Sequence, residues 1–80
     1  MKSFTKDEKY LIALQEIAKA QGEPYLSCDM YDIGVKQGLN ERTVNNIVKL
    51  LAQTNFIKKH GDNKISLTPH GESLIQSLYN

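Results

Sequence analysis

Apolar residues recur at helical spacing in several stretches of the chain, and the clearest stretch follows Asn40. Its apolar residues, spaced at i, i+3, i+4 and i+7, are Val44, Ile47, Val48 and Leu51. The Asn40 side-chain oxygen can accept hydrogen bonds from the unpaired amides of a first helical turn, which makes this residue a good N-cap. The pattern therefore predicts a helix over residues 40–54 with one apolar face.

Two more helices are predicted before this one. Thr5 and Glu8 have the spacing of a capping box, and Gly22 closes the helix that follows them. A second helix is predicted to begin at Ser27 or Asp29 and to run to about residue 37. The residues expected to face inward are Leu11, Leu14, Ile17 and Ala18 in the first helix and Met30, Ile33 and Val35 in the second.

The chain after residue 54 predicts a hairpin and a last helix. Residues 56–60 and 64–67 are predicted to be strands, because a Gly-Asp-Asn turn separates them and the second run alternates apolar and polar residues. Thr68 and Pro69 then pair an N-cap with a proline at the first helical position. These elements predict one α+β domain, mainly α, over residues 1–80. The tight turn before Asn40 joins two helices in the manner of a helix-turn-helix.

The order helix, helix, helix, hairpin, helix resembles the winged helix-turn-helix family of bacterial and archaeal transcription regulators. Residues 39–51 are similar to its junction of second and third helices, and residues 56–59 resemble its first wing strand. The run from Leu67 to Leu74 resembles the LT-x-x-G-x-x-L pattern that closes the wing in many such regulators, including the MarR and PadR groups. The resemblance implies binding to double-stranded DNA, with helix 40–54 in the major groove and hairpin 56–67 on the flanking backbone.

The polar face of the predicted third helix carries side chains that can bind phosphates and read bases. Arginine and asparagine can bind guanine and adenine edges with two hydrogen bonds each, and a helix N-terminus favours anions. The candidate DNA-binding residues of this helix are Asn40, Arg42, Thr43, Asn45, Asn46 and Lys49. The alternative hypothesis is an ordinary solvated helix face.

Positive charge is concentrated in the same part of the chain. Residues 36–64 carry a net charge of +4, whereas residues 1–35 carry −2 and the whole chain only +1. Lys58, Lys59 and Lys64 are therefore candidates for contacts with phosphates, although lysines also protect edge strands from pairing with other chains. The near-neutral total favours a competing hypothesis, in which the same fold is a protein-interaction module or a small accessory protein without DNA binding.

Nothing in the sequence predicts catalysis, a cofactor, a metal or a small-molecule ligand. Cys28, His60 and His70 do not have the spacing of metal ligands, and Cys28 is expected to be a small packing residue. A lone cysteine cannot form an internal disulfide, and no apolar run approaches the ~20 residues of a membrane span. We therefore expect a cytoplasmic protein that is not an enzyme.

Apolar residues outside the main stripes predict a homodimer. Tyr10 and Ile12 lie off the stripe of the first helix, and the last helix spreads its apolar residues more widely than packing against one core requires. The residues of that spread are Gly71, Leu74, Ile75, Leu78 and Tyr79. A two-fold interface formed by this surplus would double a DNA footprint.

Overall fold

A computed structural model describes residues 3–79 as four helices and a three-stranded antiparallel sheet. The elements are α1 (Lys6–Ala20), β1 (Cys28–Asp29), α2 (Met30–Lys36), α3 (Glu41–Gln53), β2 (Ile57–Lys59), β3 (Lys64–Leu67) and α4 (Pro69–Tyr79). The predicted α+β class with mainly helical content is confirmed. Across the described part of the chain, every helix is too short or too polar to cross a membrane.

The helices begin where the sequence predicts, because the expected side chains satisfy their first amides. Thr5 and Glu8 form the capping box of α1, with bonds of 3.2 and 2.8 Å. Asp29, and not Ser27, caps α2 by accepting from the amides of residues 31 and 32. The Thr68 hydroxyl accepts from the amide of the third residue of α4 at 3.0 Å. Each such cap stabilises its helix by roughly 1 kcal/mol.

The sheet contains one strand that the sequence pattern did not predict. Its order is β1-β3-β2, so the hairpin strand β3 lies in the middle. Cys28 of β1 pairs with Ile65, and Asp29 pairs with Lys64. A strand of two residues shows no alternation along the sequence, and only its distant partner defines it. The predicted two-stranded hairpin is therefore part of a larger sheet that ties the start of α2 to the hairpin.

The core is centred on α1, and it corrects one prediction about that helix. Tyr10 was predicted to lie off the apolar stripe, at an interface, but it is fully buried. Its hydroxyl donates to the Met30 carbonyl oxygen at 2.7 Å, and burial raises the pKa of the phenol above its usual value. Because α1 packs against α2, α3, α4 and the sheet, it needs a wider buried face than one stripe. Ile12, the other residue assigned to the surplus, is partly buried against the same core.

A second correction concerns Val35 in α2, which was predicted to face inward. Met30 and Ile33 are buried, whereas Val35 is 75% exposed. Two residues after Ile33, a side chain points about 200° around the helix, which is the opposite side. Gly34, not Val35, provides the next inward position of this helix.

Candidate nucleic-acid interface

Helices α2 and α3 meet closely across a turn of residues 37–40. Gly38 has a φ of +71°, a conformation that side chains other than glycine rarely adopt. Gly34 lies against the Val44 side chain, and a methyl group at this glycine would collide with it. Leu39 is partly buried against the core, and its amide donates to the Gly34 carbonyl oxygen at 2.8 Å. Two glycines thus fix the angle at which α2 supports α3.

Helix α3 has the two faces that the sequence predicts. Its buried residues are Val44, Ile47, Val48 and Leu51, each with no more than 4% exposure. The opposite face is exposed and carries Arg42, Asn46, Lys49 and Gln53, with Asn45 exposed at its border. Burial of the apolar stripe fixes the rotation of the helix, and the polar residues therefore point away from the core as one group.

The N-terminus of α3 is capped from within the chain. The Asn40 side-chain oxygen accepts from the Thr43 amide at 2.9 Å, so both groups already have a partner. Thr43 itself is half-buried, and Glu41 is exposed in the first turn. A carboxylate there is favoured by the helix dipole but repels phosphates. The N-terminus is thus less suited to anions than Arg42, which is exposed in the same turn.

A side chain from α2 contacts the polar face of α3. The Tyr31 hydroxyl donates to the Asn45 side-chain oxygen at 2.7 Å. The Tyr31 ring is partly buried against the core, and its amide donates to the Asp29 carboxylate at 2.9 Å. Sequence reasoning missed Tyr31, because a tyrosine one helix away carries no pattern that connects it with Asn45. The two residues are 14 positions apart in the chain, and only the fold of the helix-turn-helix brings them together.

The three hairpin lysines are exposed but do not share one surface. Lys58 pairs with Ser66 and Lys59 pairs with Ile65 across β2 and β3. Because consecutive strand residues point to opposite faces of a sheet, these two lysines extend in opposite directions. Lys64 lies at the start of the central strand, opposite Asp29 of β1. The exposed candidates of α3 therefore lie on one side of that helix, whereas the hairpin candidates are divided between two faces of the sheet, with Lys58 and Lys64 on one and Lys59 on the other.

The turn of the hairpin is closed by backbone geometry. Asp62 and Asn63 have φ values of 60° and 62°, a left-handed conformation that these two residue types tolerate better than most. The His60 amide donates to the Lys64 carbonyl oxygen at 2.8 Å. The Asn63 carbonyl oxygen accepts from the Met30 amide at 2.9 Å, which fixes the turn to the start of α2. The hairpin is thus held in place relative to the helix-turn-helix.

The remaining reactive side chains have structural partners. Cys28 is buried, and burial raises the pKa of its thiol, so the reactive thiolate is disfavoured. His60 shares a hydrogen bond of 2.8 Å with the buried Ser66 hydroxyl. His70 stacks on Phe56 with ring centroids 4.7 Å apart. Among residues 3–79, no three His, Cys, Asp or Glu side chains are grouped to hold a metal ion.

The elements of this chain are those of the winged helix-turn-helix fold. They are three helices that include a helix-turn-helix, a sheet that includes a β-hairpin, and a further helix. The crystal structure of T. acidophilum IdeR is similar to this chain, with a TM-score of 0.72 and 23% sequence identity. The match covers 94% of this chain and 33% of the IdeR chain. At such identity the similarity shows the fold alone, and this chain spans about a third of the length of IdeR.

Comparison with protein-family models and with curated proteins gives no match. The winged-helix fold is therefore established by structure, while the finer resemblance to the MarR and PadR groups stays a prediction. No residue role is transferred from IdeR to this chain. The roles of the candidate residues follow from their own positions and chemistry.

Proposed function

We propose that residues 1–80 form a winged-helix domain that binds double-stranded DNA and regulates transcription. The observation that carries this proposal is the exposed face of α3. Arg42, Asn46 and Lys49 are exposed together, directly opposite a fully buried apolar stripe. The exposed face of an ordinary solvated helix carries mainly Glu and Lys. Arg has two parallel donors and Asn has a donor beside an acceptor, so each can bind a base edge with two hydrogen bonds.

In this proposal α3, with its caps at residues 40 and 54, enters the major groove. That groove is about 12 Å wide and admits one α-helix. Arg42, Asn45 and Asn46 face base edges, and Lys49 reaches a phosphate one turn further along. Because phosphate contacts position the protein while base contacts specify the sequence, sequence preference depends mainly on the first three residues.

The hairpin, residues 56–67, lies along the flanking backbone. Its turn carries Asp62 and lacks an arginine that could enter the minor groove. Lys58 and Lys59 extend to opposite sides, so one of them meets the duplex and the other stays in solvent. We assign the phosphate contact to Lys59, which ends β2 on the side of the turn, and the protection of the exposed edge of β2 to Lys58. Lys64 supplies further positive charge at the base of the turn.

We also propose that the protein acts as a homodimer through the end of α4. Tyr79 is 61% exposed, and its ring contacts Phe4 edge-to-face at 5.7 Å. Leu74, another apolar residue of α4, is partly buried against the core, and Tyr10 no longer belongs to the surplus because it is buried. Sedimentation equilibrium should show dimers at micromolar concentration, and Tyr79→Ser should shift them toward monomers. Purely monomeric behaviour at high micromolar concentration would remove this proposal.

A protein-interaction module is the second candidate function, and one surface feature favours it. A cleft of about 220 Å³ lies between the start of α1, the end of α3 and α4. It is lined mainly by apolar side chains, including Leu11, Leu74 and Leu50, and Leu50 is 45% exposed. A side chain of a protein partner could fill this cleft, and the overall charge of +1 adds little attraction for DNA.

A binding experiment at two salt concentrations distinguishes the two functions. The full chain is incubated with mixed genomic duplex DNA and analysed by electrophoretic mobility shift at 50 and 200 mM salt. The DNA proposal predicts a shift at low salt that weakens strongly at high salt, because bound phosphates release counterions. Selection from random duplexes should then enrich one sequence. If no shift occurs at low salt, DNA binding is rejected in favour of a protein partner.

A further inference from the structure

The hydrogen bond between Tyr31 and Asn45 joins α2 to the polar face of α3 through side chains. Tyr31 is held from two sides, because its amide donates to the Asp29 carboxylate and its ring packs against the core. The hydroxyl of this fixed ring reaches the Asn45 side-chain oxygen at 2.7 Å. Asn45 is otherwise exposed, so this bond fixes the orientation of an amide that would otherwise rotate freely.

This orientation changes what Asn45 can offer to a base. A side-chain amide carries its oxygen and its NH₂ group on opposite sides of one planar centre, and adenine is bound when both point at the base together. Tyr31 draws the oxygen toward α2 and occupies one of its lone pairs. The NH₂ group, with two donors, is the part left to face outward.

We infer that Tyr31 is a positioning residue that makes Asn45 a hydrogen-bond donor and so sets its base preference. This inference rests on the proposed binding of α3 in the major groove. Guanine presents two acceptors there, O6 and N7, whereas adenine presents one acceptor and one donor. Asn45 held by Tyr31 therefore prefers guanine to adenine. Released from Tyr31, Asn45 regains the geometry that binds adenine.

The inference is tested by selecting bound sequences from random duplex DNA with four variants of the full chain. The parent should show guanine at one position, and Asn45→Ala should lose the preference at that position. Tyr31→Phe keeps the ring and removes only the hydroxyl. At the same position it should lower the preference for guanine over adenine by roughly 2- to 10-fold, the range expected for one hydrogen bond.

Tyr25→Phe is the matched control, because its hydroxyl donates to the Glu72 carboxylate of α4 at 3.1 Å and not to α3. This variant should select the same sequences as the parent. Thermal unfolding followed by circular dichroism should show that both phenylalanine variants remain folded at the temperature of selection. A change confined to Tyr31→Phe then reports on Asn45 and not on the loss of a hydroxyl in general.

The double variant Tyr31→Phe with Asn45→Ala separates positioning from direct contact. If Tyr31 acts through Asn45, its substitution has no further effect on affinity or base preference once Asn45 is alanine. A further loss in that background would mean that Tyr31 contacts DNA itself, which overturns the inference.

Failure of the inference and failure of the proposed function give different results. A parent that enriches no sequence and binds no duplex at low salt overturns the proposed function, and the inference falls with it. A parent that selects a clear sequence, together with Tyr31→Phe that selects the identical sequence with equal strength, overturns the inference alone. A shift away from guanine in Tyr31→Phe supports both.

Discussion

Replacement of Gly71 by alanine should destabilise the protein by about 2 kcal/mol, despite the better helix propensity of alanine. Gly71 lies in the first turn of α4, where a methyl group would collide with the carbonyl oxygen of Phe56 and approach the Leu67 side chain to 2.9 Å. That carbonyl oxygen accepts from the Thr68 amide at 3.2 Å. A backbone group held in this way cannot rotate aside like a flexible side chain, so α4 must move.

The matched control is Gly61→Ala in the turn of the hairpin. No atom lies within 4 Å of a methyl group at Gly61, and its φ is not in the left-handed region. Thermal unfolding should therefore show nearly the parental melting temperature for Gly61→Ala. Gly71→Ala should melt roughly 10 °C lower, because 1 kcal/mol corresponds to about 4–8 °C for a domain of this size. Melting of the Gly71 variant within 2–3 °C of the parent would contradict the close contact with Phe56.

Local features of the sequence were sufficient for most helix boundaries. The N-caps Thr5, Asn40 and Thr68 each accept a hydrogen bond from the amide three residues further along the chain, so a few neighbouring positions are enough to predict them. Asn55 follows the third helix with a φ of 63°. Asparagine tolerates this left-handed conformation better than most residues, so the end of the helix also depends on a single residue type. The buried stripe of α3 follows from helical periodicity alone, and so does the exposure of its polar face.

Features that depend on contacts between distant parts of the chain were not predicted from the sequence. The strand Cys28–Asp29 exists because β3 lies beside it, and Tyr10 is buried because α1 has partners on several sides. Of the candidate site, the sequence identified Asn45 by its place on the polar face but not its bond to Tyr31. Periodicity describes one element at a time, whereas the orientation of a side chain depends on the neighbouring element.

Substitutions of Arg42 and Lys59 should weaken DNA binding in different ways. Arg42 is exposed in the first turn of α3, where recognition residues reach base edges. Arg42→Ala should weaken binding to the selected sequence by roughly 1–3 kcal/mol and blur the preference at one base position. Arg42→Lys keeps the charge but loses the bidentate hydrogen-bond donor of the guanidinium. The variant should therefore retain the salt dependence of binding while losing most of the base preference at that position.

Lys59→Ala should instead weaken binding to all sequences alike, because a phosphate contact carries no sequence information. The slope of log K against log salt should fall by about 1. Lys19→Ala is the matched control, since it removes the same charge from an exposed position in the last turn of α1. Fluorescence anisotropy with selected and scrambled duplexes over a series of salt concentrations measures both quantities. Full affinity in both the Arg42→Ala and Lys59→Ala variants would show that neither α3 nor the hairpin contacts DNA. The apolar cleft beside Leu50 would then be tested as the binding surface for a protein partner.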